Sequence, residues 1–511
     1  MKYLKTGVIV IGLSCAIEIA LAQVDPQIQK YRDEPRGSVQ NRKKGILDGN
    51  RIRTIFINDG EVGHWPDEPS AEWPKGSGHT YLDGSALLIA AKIVAPGSGQ
   101  IITPLVSAYR ELVSRDPLTG EEWVLQPVAG YDNSQLTTPA MSADPSSWPS
   151  TWPDALNLPA DWNSQWYGYF GKGVQRGLTE TFFVMDDSQV KKWTRPPYNY
   201  YPIFDDSTRA GLGLRVEVRG LQWSDSLVED VLFWHYRMTN ISDFDYDTSC
   251  VGFYIDPGVG GTSNPGNSCT INRQLDMVYS WCPTCGQGTP SATNYQSGYI
   301  GFALLSTPQN VGLTAITVRT LDNAHGPAGL WIKNDEVMWN AMNNGFRDTV
   351  MQNSNFSVVM GSGPFPFQKW RTNSVTSAIL FASDLDTLMI NKLNAQILYD
   401  SLMREIDNPT IVQRKNRMPS NFYLEDAYPN PFNPSTTIIF QIPVESWVTL
   451  KIYDILGREV TTLIDGITSS GKHTVPFDSR NSSSGHISSG VYFYRLQVGE
   501  YSATKKLVLL K

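Results

Sequence analysis

The sequence predicts a mainly β protein: a large β-sandwich ectodomain with long loops and one C-terminal helix, followed by a small immunoglobulin-like β-sandwich. Three observations predict it. The 511 residues include 42 Gly, 32 Pro, 15 Trp and 23 Tyr, with 11% aromatic and only 18% charged residues. That balance suits a turn-rich chain with a large core and excludes collagen-like, disordered and coiled-coil chains. Short apolar runs separated by Gly, Pro and Asn recur through the middle of the chain. The last ~90 residues alternate apolar and polar with a period of two, the mark of half-buried strands.

In chain order, residues 1–22 read as an export signal. Lys2 and Lys5 open it, an apolar run begins at Gly7, and Ala20-Leu21-Ala22 offers small residues for cleavage before Gln23. Cys15 is a rival lipid-attachment position, but Gly12 stands where Leu is expected. The net charge of −8 becomes −9 once this segment is removed. Such acidity excludes a general nucleic-acid binder, which needs a basic face to displace counterions.

Residues 23–410 read as one β-rich ectodomain, with a subdomain boundary conceivable near residue 205. Strand-like runs fall at 52–58, 86–94, 101–106, 212–218, 228–238, 250–255, 299–305, 356–360 and 375–381. Turn-rich stretches at 59–80, 128–177, 257–298 and 361–374 lie between them. Leu385, Met389, Leu393 and Ile397 recur every four residues and predict a helix over 384–406, capped by Ser383 with Asp386 and stopped at Asn408-Pro409. Residues 411–420 then form an exposed linker, within a stretch carrying Arg414, Lys415, Arg417 and Pro419.

Four cysteines remain after the leader: Cys250, Cys269, Cys282 and Cys285. An even number in an exported chain points to disulfides, with three connectivities open. A four-thiolate zinc site is the second reading. Redox activity of Cys282-Pro283-Thr284-Cys285 is the third, although Gly286, Gly288 and Pro290 follow where a helix would be needed.

Trp148, Trp152, Trp162 and Trp166 lie within 19 residues. Exposed, they would form a platform for sugar rings or an adhesive partner; buried, they would fasten a long loop to the sandwich. Asp243, Asp245 and Asp247 alternate as hard oxygen ligands do, and Asp256 or Asp276 could complete a loose calcium site. Thr248 at the sixth position and Tyr254 at the twelfth reject an EF-hand. Calcium is thus the first candidate ion and zinc the second. Asp186-Asp187 and Asp205-Asp206 read as solvated acidic turns. Glu180, Asp186, Glu217 and Glu229 could supply the two carboxylates that glycoside hydrolysis needs. Neither a G-x-S-x-G elbow nor an H-E-x-x-H helix occurs, and His235 sits in an apolar strand as a core histidine would.

The run Ala427-Tyr428-Pro429-Asn430-Pro431-Phe432-Asn433-Pro434-Ser435-Thr436-Thr437-Ile438 resembles the opening of the type IX secretion system C-terminal sorting domain. Val448–Asp454, Gly457–Val460, Ser489–Leu496 and the closing Lys505–Lys511 follow the same pattern; Phe477-Asp478-Ser479 departs from a commoner aromatic-Asp-Gly. An immunoglobulin-like adhesive module is the other sandwich of this size. The resemblance implies that residues 421–511 engage the type IX translocon and deliver the protein to the outer surface or the medium. It places no catalysis in this domain. Residues 72–78, 212–214, 236–240, 253–256 and 362–365 loosely resemble uncharacterised modules found ahead of such domains. The function expected is therefore a non-catalytic binding or adhesive ectodomain, with a secreted hydrolase of polysaccharide or peptide as the alternative. A glycan or a surface protein would be its partner, and no transmembrane helix is expected in the mature chain.

Overall fold

The computed structural model describes residues 24–109, 114–153, 164–173, 178–260, 266–285, 297–320, 334–347, 349–404, 423–442, 446–468, 471–480, 487–498 and 501–510. The leader and the linker of the sequence reading, with Trp162, lie outside these residues.

The ectodomain is built on two large sheets. The first has nine strands, in the spatial order Lys44–Leu47, Thr54–Ile57, Glu61–Val62, Leu82–Ala91, Tyr246–Pro257, Phe356–Phe367, Ala315–Thr320 and Phe346–Arg347, with Leu105–Ser107 also pairing Leu82–Ala91. The second has ten: Met351–Ser354, Asn267–Asn272, Met277–Trp281, Tyr299–Ser306, Thr372–Ala382, Val231–Asn240, Leu214–Trp223, Leu178–Asp186 and Gln126–Pro127, with Ala140–Met141 beside Leu178–Asp186. Both sheets draw strands from either side of residue 205.

Period-two alternation sorts the side chains. Leu87, Ile89, Val251, Phe253, Val358 and Met360 of the first sheet meet Val216, Val218, Trp234, Tyr236, Val375 and Ile379 of the second in one core. Their neighbours face outward but are buried too, because helices cover both outer faces. Helix α1, Pro26–Asp33, begins at Asp25, whose side chain accepts from Gln27 N at 2.8 Å. Helix α2, Asp335–Asn343, is capped by Asn334 and carries Asp335 and Glu336 in its first turn, where the helix dipole favours anions. Its Met338, Trp339 and Met342 pack on Leu88, Ala90, Tyr254 and Val359. Full burial of such side chains contributes roughly 1.5–3 kcal/mol each. Gly361 permits this approach: a Cβ there would lie 2.2 Å from the Met342 carbonyl oxygen.

Helix α3, Leu385–Leu398, continues as a π-turn at Tyr399–Met403 and covers Phe233, Ala378 and Leu380 of the second sheet. Its cap is Asp384, accepting from Thr387 N at 2.9 Å, one residue beyond the expected Ser383. No described helix is long and apolar enough to cross a membrane.

The C-terminal domain pairs Tyr423–Leu424, Ser435–Ile442 and Gly471–Asp478 in one sheet. Glu459–Thr468, Ser446–Asp454, Gly490–Val498 and Tyr501–Leu509 form the other. Ile438, Phe440, Leu450, Ile452, Tyr494 and Leu496, alternate residues of their strands, fill its core.

Candidate binding site

The cysteines correct the first site expectation. Cys282 and Cys285 form a disulfide, while Cys250 and Cys269 are free and buried. Cys250 lies on the outer face of the first sheet under α2, and Cys269 points into the core between the sheets. With the first sheet between them they can form neither a second disulfide nor a four-thiolate zinc site. Burial pushes each thiol up to about 12.

The calcium expectation is corrected as well. Asp243 accepts from Arg32 at 2.7 Å and from Phe204 N at 2.9 Å, and Asp245 from Lys369 N at 2.8 Å. Asp247 and Asp256 lie on one strand, Tyr246–Pro257. Nine residues at ~3.3 Å each separate them by about 30 Å. Asp256 is buried and accepts from Tyr109 Oη at 2.8 Å. Among the described residues, no three His, Cys, Asp or Glu side chains are grouped to hold a metal.

The expected tryptophan platform is core. Trp152 and Trp166 are 3% and 1% exposed and pack, with partly buried Trp148, on Phe182 and Val184 of the second sheet. Each indole N–H is used: Trp148 donates to Met141 O, Trp152 to Gln165 O and Trp166 to Glu180. The loop is stapled to the sheet, so its aromatic faces are not presented to a ligand.

Three of the four carboxylates considered for hydrolysis, Glu180, Asp186 and Glu217, hold the outer face of that sheet together. Glu180 pairs with Arg219 and accepts from Trp166 and from Tyr169 N. Asp186 pairs with Arg209 at 3.3 Å, Glu217 with Arg215 at 2.6 Å and Arg237 at 2.8 Å, and Glu229 with Arg51 at 3.5 Å. Glu34, just after α1, closes the set on Arg215 at 2.7 Å, while the Tyr31 ring lies 4.1 Å from that guanidinium. Burial alone would raise Glu217, but Arg237, Arg215 and Arg219 outweigh it and hold the carboxyl at about 2. Burial raises Glu180 and Asp186, against their arginines. Asp187, expected in a solvated turn, is buried instead: it accepts from Leu214 N and Leu212 N, and burial lifts it to about 7. Asp206 keeps an exposed pair with Arg36 at 2.6 Å. His235 is a buried core histidine, Nδ1 3.0 Å from Thr376 Oγ1.

A recess that the sequence reading missed lies elsewhere, where α2 meets the turn Lys191–Trp193 and the hairpin Ile93–Val94/Ile101–Ile102. Its volume is about 660 Å³ and its lining is mainly polar. Asp335, 5% exposed, organises it by accepting from Lys192 Nζ at 2.6 Å, Trp193 Nε1 at 2.9 Å and Leu105 N at 3.2 Å. Burial raises this carboxyl, and Lys192 opposes the rise. Trp193 meets Tyr198 edge-on at 4.8 Å, and Lys92 Nζ lies 5.2 Å over the Trp339 ring. Gly97 N donates to Tyr198 O at 3.0 Å, tying the hairpin to this wall. At the mouth, Ile101 is 70% exposed, and Glu336 and Asn340 are exposed on the first two turns of α2. The signal available in sequence was thin: two tryptophans and a tyrosine 146 residues apart at most, joined only by the fold.

The C-terminal strands decide one question. Residues 426–510 match the family model described as the secretion system C-terminal sorting domain. The chain is type IX secretion cargo. Its sorting domain engages the secretion machinery and directs export to the cell surface or the extracellular space. No curated protein matches the chain. Among solved structures, a polysaccharide lyase is similar over 78% of this chain and 46% of its own, at 10% identity and TM-score 0.20. The heparan sulfate lyase HepC from Pedobacter heparinus is similar over 69% and 37%, at 9% identity and TM-score 0.24. A kojibiose phosphorylase from the human microbiome is similar over 49% and 24%, at 7% identity and TM-score 0.21. The chain spans less than half the length of each. Scores of this size assign neither fold nor activity.

Proposed function

We propose that this type IX cargo is an extracellular binding protein whose ectodomain, residues 23–410, holds its ligand in the recess between α2, the Lys191–Trp193 turn and the 93–102 hairpin. The recess carries the reading: at about 660 Å³ it falls inside the ~300–1,000 Å³ of ordinary ligand sites. It combines aromatic walls with amide, hydroxyl and charged groups, the mixture that grips and orients a polar ligand. A non-catalytic role is supported by the acids. Glu180, Asp186 and Glu217 are each committed to an arginine, and Asp335 spends both carboxyl oxygens on three donors. General acid–base work needs a carboxyl that is free to exchange its proton with substrate.

The test incubates the full chain with a panel of polysaccharides and peptides, reading retention together with released reducing ends and new amino termini. Retention without release is expected. Release that disappears in Glu336→Gln would overturn the reading in favour of a hydrolase.

A further inference from the structure

We propose that the recess selects a neutral polysaccharide and discriminates against polyanionic chains; this rests on the binding reading above. The argument starts from charge. Lys192 is neutralised by Asp335 at 2.6 Å, so that pair presents no net charge to a ligand. Two unpaired charges remain on the lining among the described residues, the Lys92 ammonium and the exposed Glu336 carboxylate, and they cancel. The chain as a whole is acidic, −9 without its leader, and repels polyanions on approach. An acidic glycan would meet Glu336 at the mouth with no surplus cation to offset it.

The uncharged groups fit hydroxyls. Gln100, Thr103 and Asn340 line the recess together with Lys92 and Glu336, so it offers both donors and acceptors. A sugar hydroxyl, which donates and accepts at once, satisfies both kinds of group. Apolar contact for the C–H face of a pyranose comes from Ile101, 70% exposed, and from the half-buried Tyr198 ring, while Trp193, with Lys192 Nζ 5.2 Å over its ring and Tyr198 edge-on to it, serves as wall. Trp339 is 5% exposed and serves as floor, its face already occupied by Lys92. At ~30 Å³ per liquid water, the volume holds on the order of 20 waters, room for more than one sugar ring.

The experiment is affinity electrophoresis of the full chain through gels containing xylan, galactomannan, laminarin, soluble starch, alginate or heparin, each at low and high salt. Retardation by at least one neutral polysaccharide is expected, with affinity changing less than about twofold between salt concentrations, since few counterions are released. Tyr198→Ala and Asn340→Ala should each weaken that affinity by up to about tenfold, as the loss of one ring contact or hydrogen bond implies. Both side chains reach solvent, so circular dichroism should confirm unchanged folding. Glu336→Lys should newly retard the protein on heparin. Retardation confined to alginate or heparin and abolished by salt would overturn the neutral selectivity while leaving a binding protein. Retardation by a neutral polysaccharide that survives both alanine variants would move the ligand away from the recess and overturn the assignment. Absence of retardation in every gel would overturn the polysaccharide selectivity proposed here, and the binding reading itself falls only if the peptides of the earlier panel are not retained either.

Discussion

Glu217→Gln should unfold this protein more easily, and the size of the effect follows from the charges around it. Glu217 lies between Arg215 and Arg237, at 2.6 and 2.8 Å, on the outer face of the second sheet. Its carboxyl is held at about 2 against an ordinary 4.5. At ~1.36 kcal/mol per pH unit, that difference corresponds to about 3 kcal/mol of native stability. The folded pKa is the lower one, so the contribution is complete above pH 4.5 and is lost as pH falls through 2. Removing one member of a buried ion set also strands its partners, with a cost of roughly 3–5 kcal/mol. Urea unfolding of the full chain, followed by tryptophan fluorescence, should therefore place the variant about 3 kcal/mol below wild type at pH 6. The gap should shrink to less than about 1 kcal/mol near pH 2, where wild-type Glu217 is itself half protonated. Glu229→Gln is the control: Glu229 is 35% exposed and 3.5 Å from an exposed Arg51, so its pair contributes roughly 0–1 kcal/mol. A Glu217→Gln variant within 1 kcal/mol of wild type at pH 6, or a gap that persists at pH 2, would refute the reasoning.

Trp152→Ala should cost roughly 3–5 kcal/mol, because the indole is 3% exposed among Trp166, Tyr167 and Phe182. Polysaccharide retention by the fraction that stays folded should match wild type, checked by the same gels. Alkylation of the mature chain in denaturant without reductant should label two cysteines, Cys250 and Cys269, by mass spectrometry; none labelled would mean two disulfides. Opening the short Cys282–Cys285 loop by a double serine variant should cost about 2 kcal/mol in chemical denaturation. Deleting residues 426–510 should leave the ectodomain inside a type IX-competent cell, shielded from added protease that reaches the full-length protein at the surface.

Much of the ectodomain was legible because its strands are apolar on both faces. Val231–Asn240 and Thr372–Ala382 are covered by the opposite sheet on one side and, in part, by α3 on the other, so each reads as a near-continuous apolar run. Phe356–Phe367 was read only to residue 360, since Gly361, Gly363, Pro364 and Pro366 imitate a turn. Two of those residues lie where α2 and the neighbouring strand come too close for side chains, a tertiary demand that local pattern cannot express. Strands Leu178–Asp186 and Ala315–Thr320 were not read, and α1 and α2 were too short to declare a helical period. The site was least legible. Tryptophan density drew attention to 148–166, yet in a folded chain dense tryptophan marks core as readily as surface. The recess instead assembles Lys92, Trp193 and Trp339 from three distant segments around one buried carboxylate, Asp335. Nothing in the sequence distinguishes Asp335 from the other acids.

The clasp between Glu34 and Arg215 sets a timetable for folding. The two residues are 181 apart in sequence, and the ribosome delivers Glu34 first. Helix α1 has no face to dock on until Leu214–Trp223 and Val231–Asn240 have been made and paired. The central pair of the first sheet, Leu82–Ala91 with Tyr246–Pro257, waits for the same stretch of chain. With its strongest pairings this distant, the ectodomain forms slowly, as chains dominated by non-local contacts do. A polypeptide threaded through a membrane from its N-terminus can therefore pass more than 200 residues before a stable core opposes the movement. Until Arg215 and the strands around it have been made, Glu34 has no partner and the residues before it no core to join.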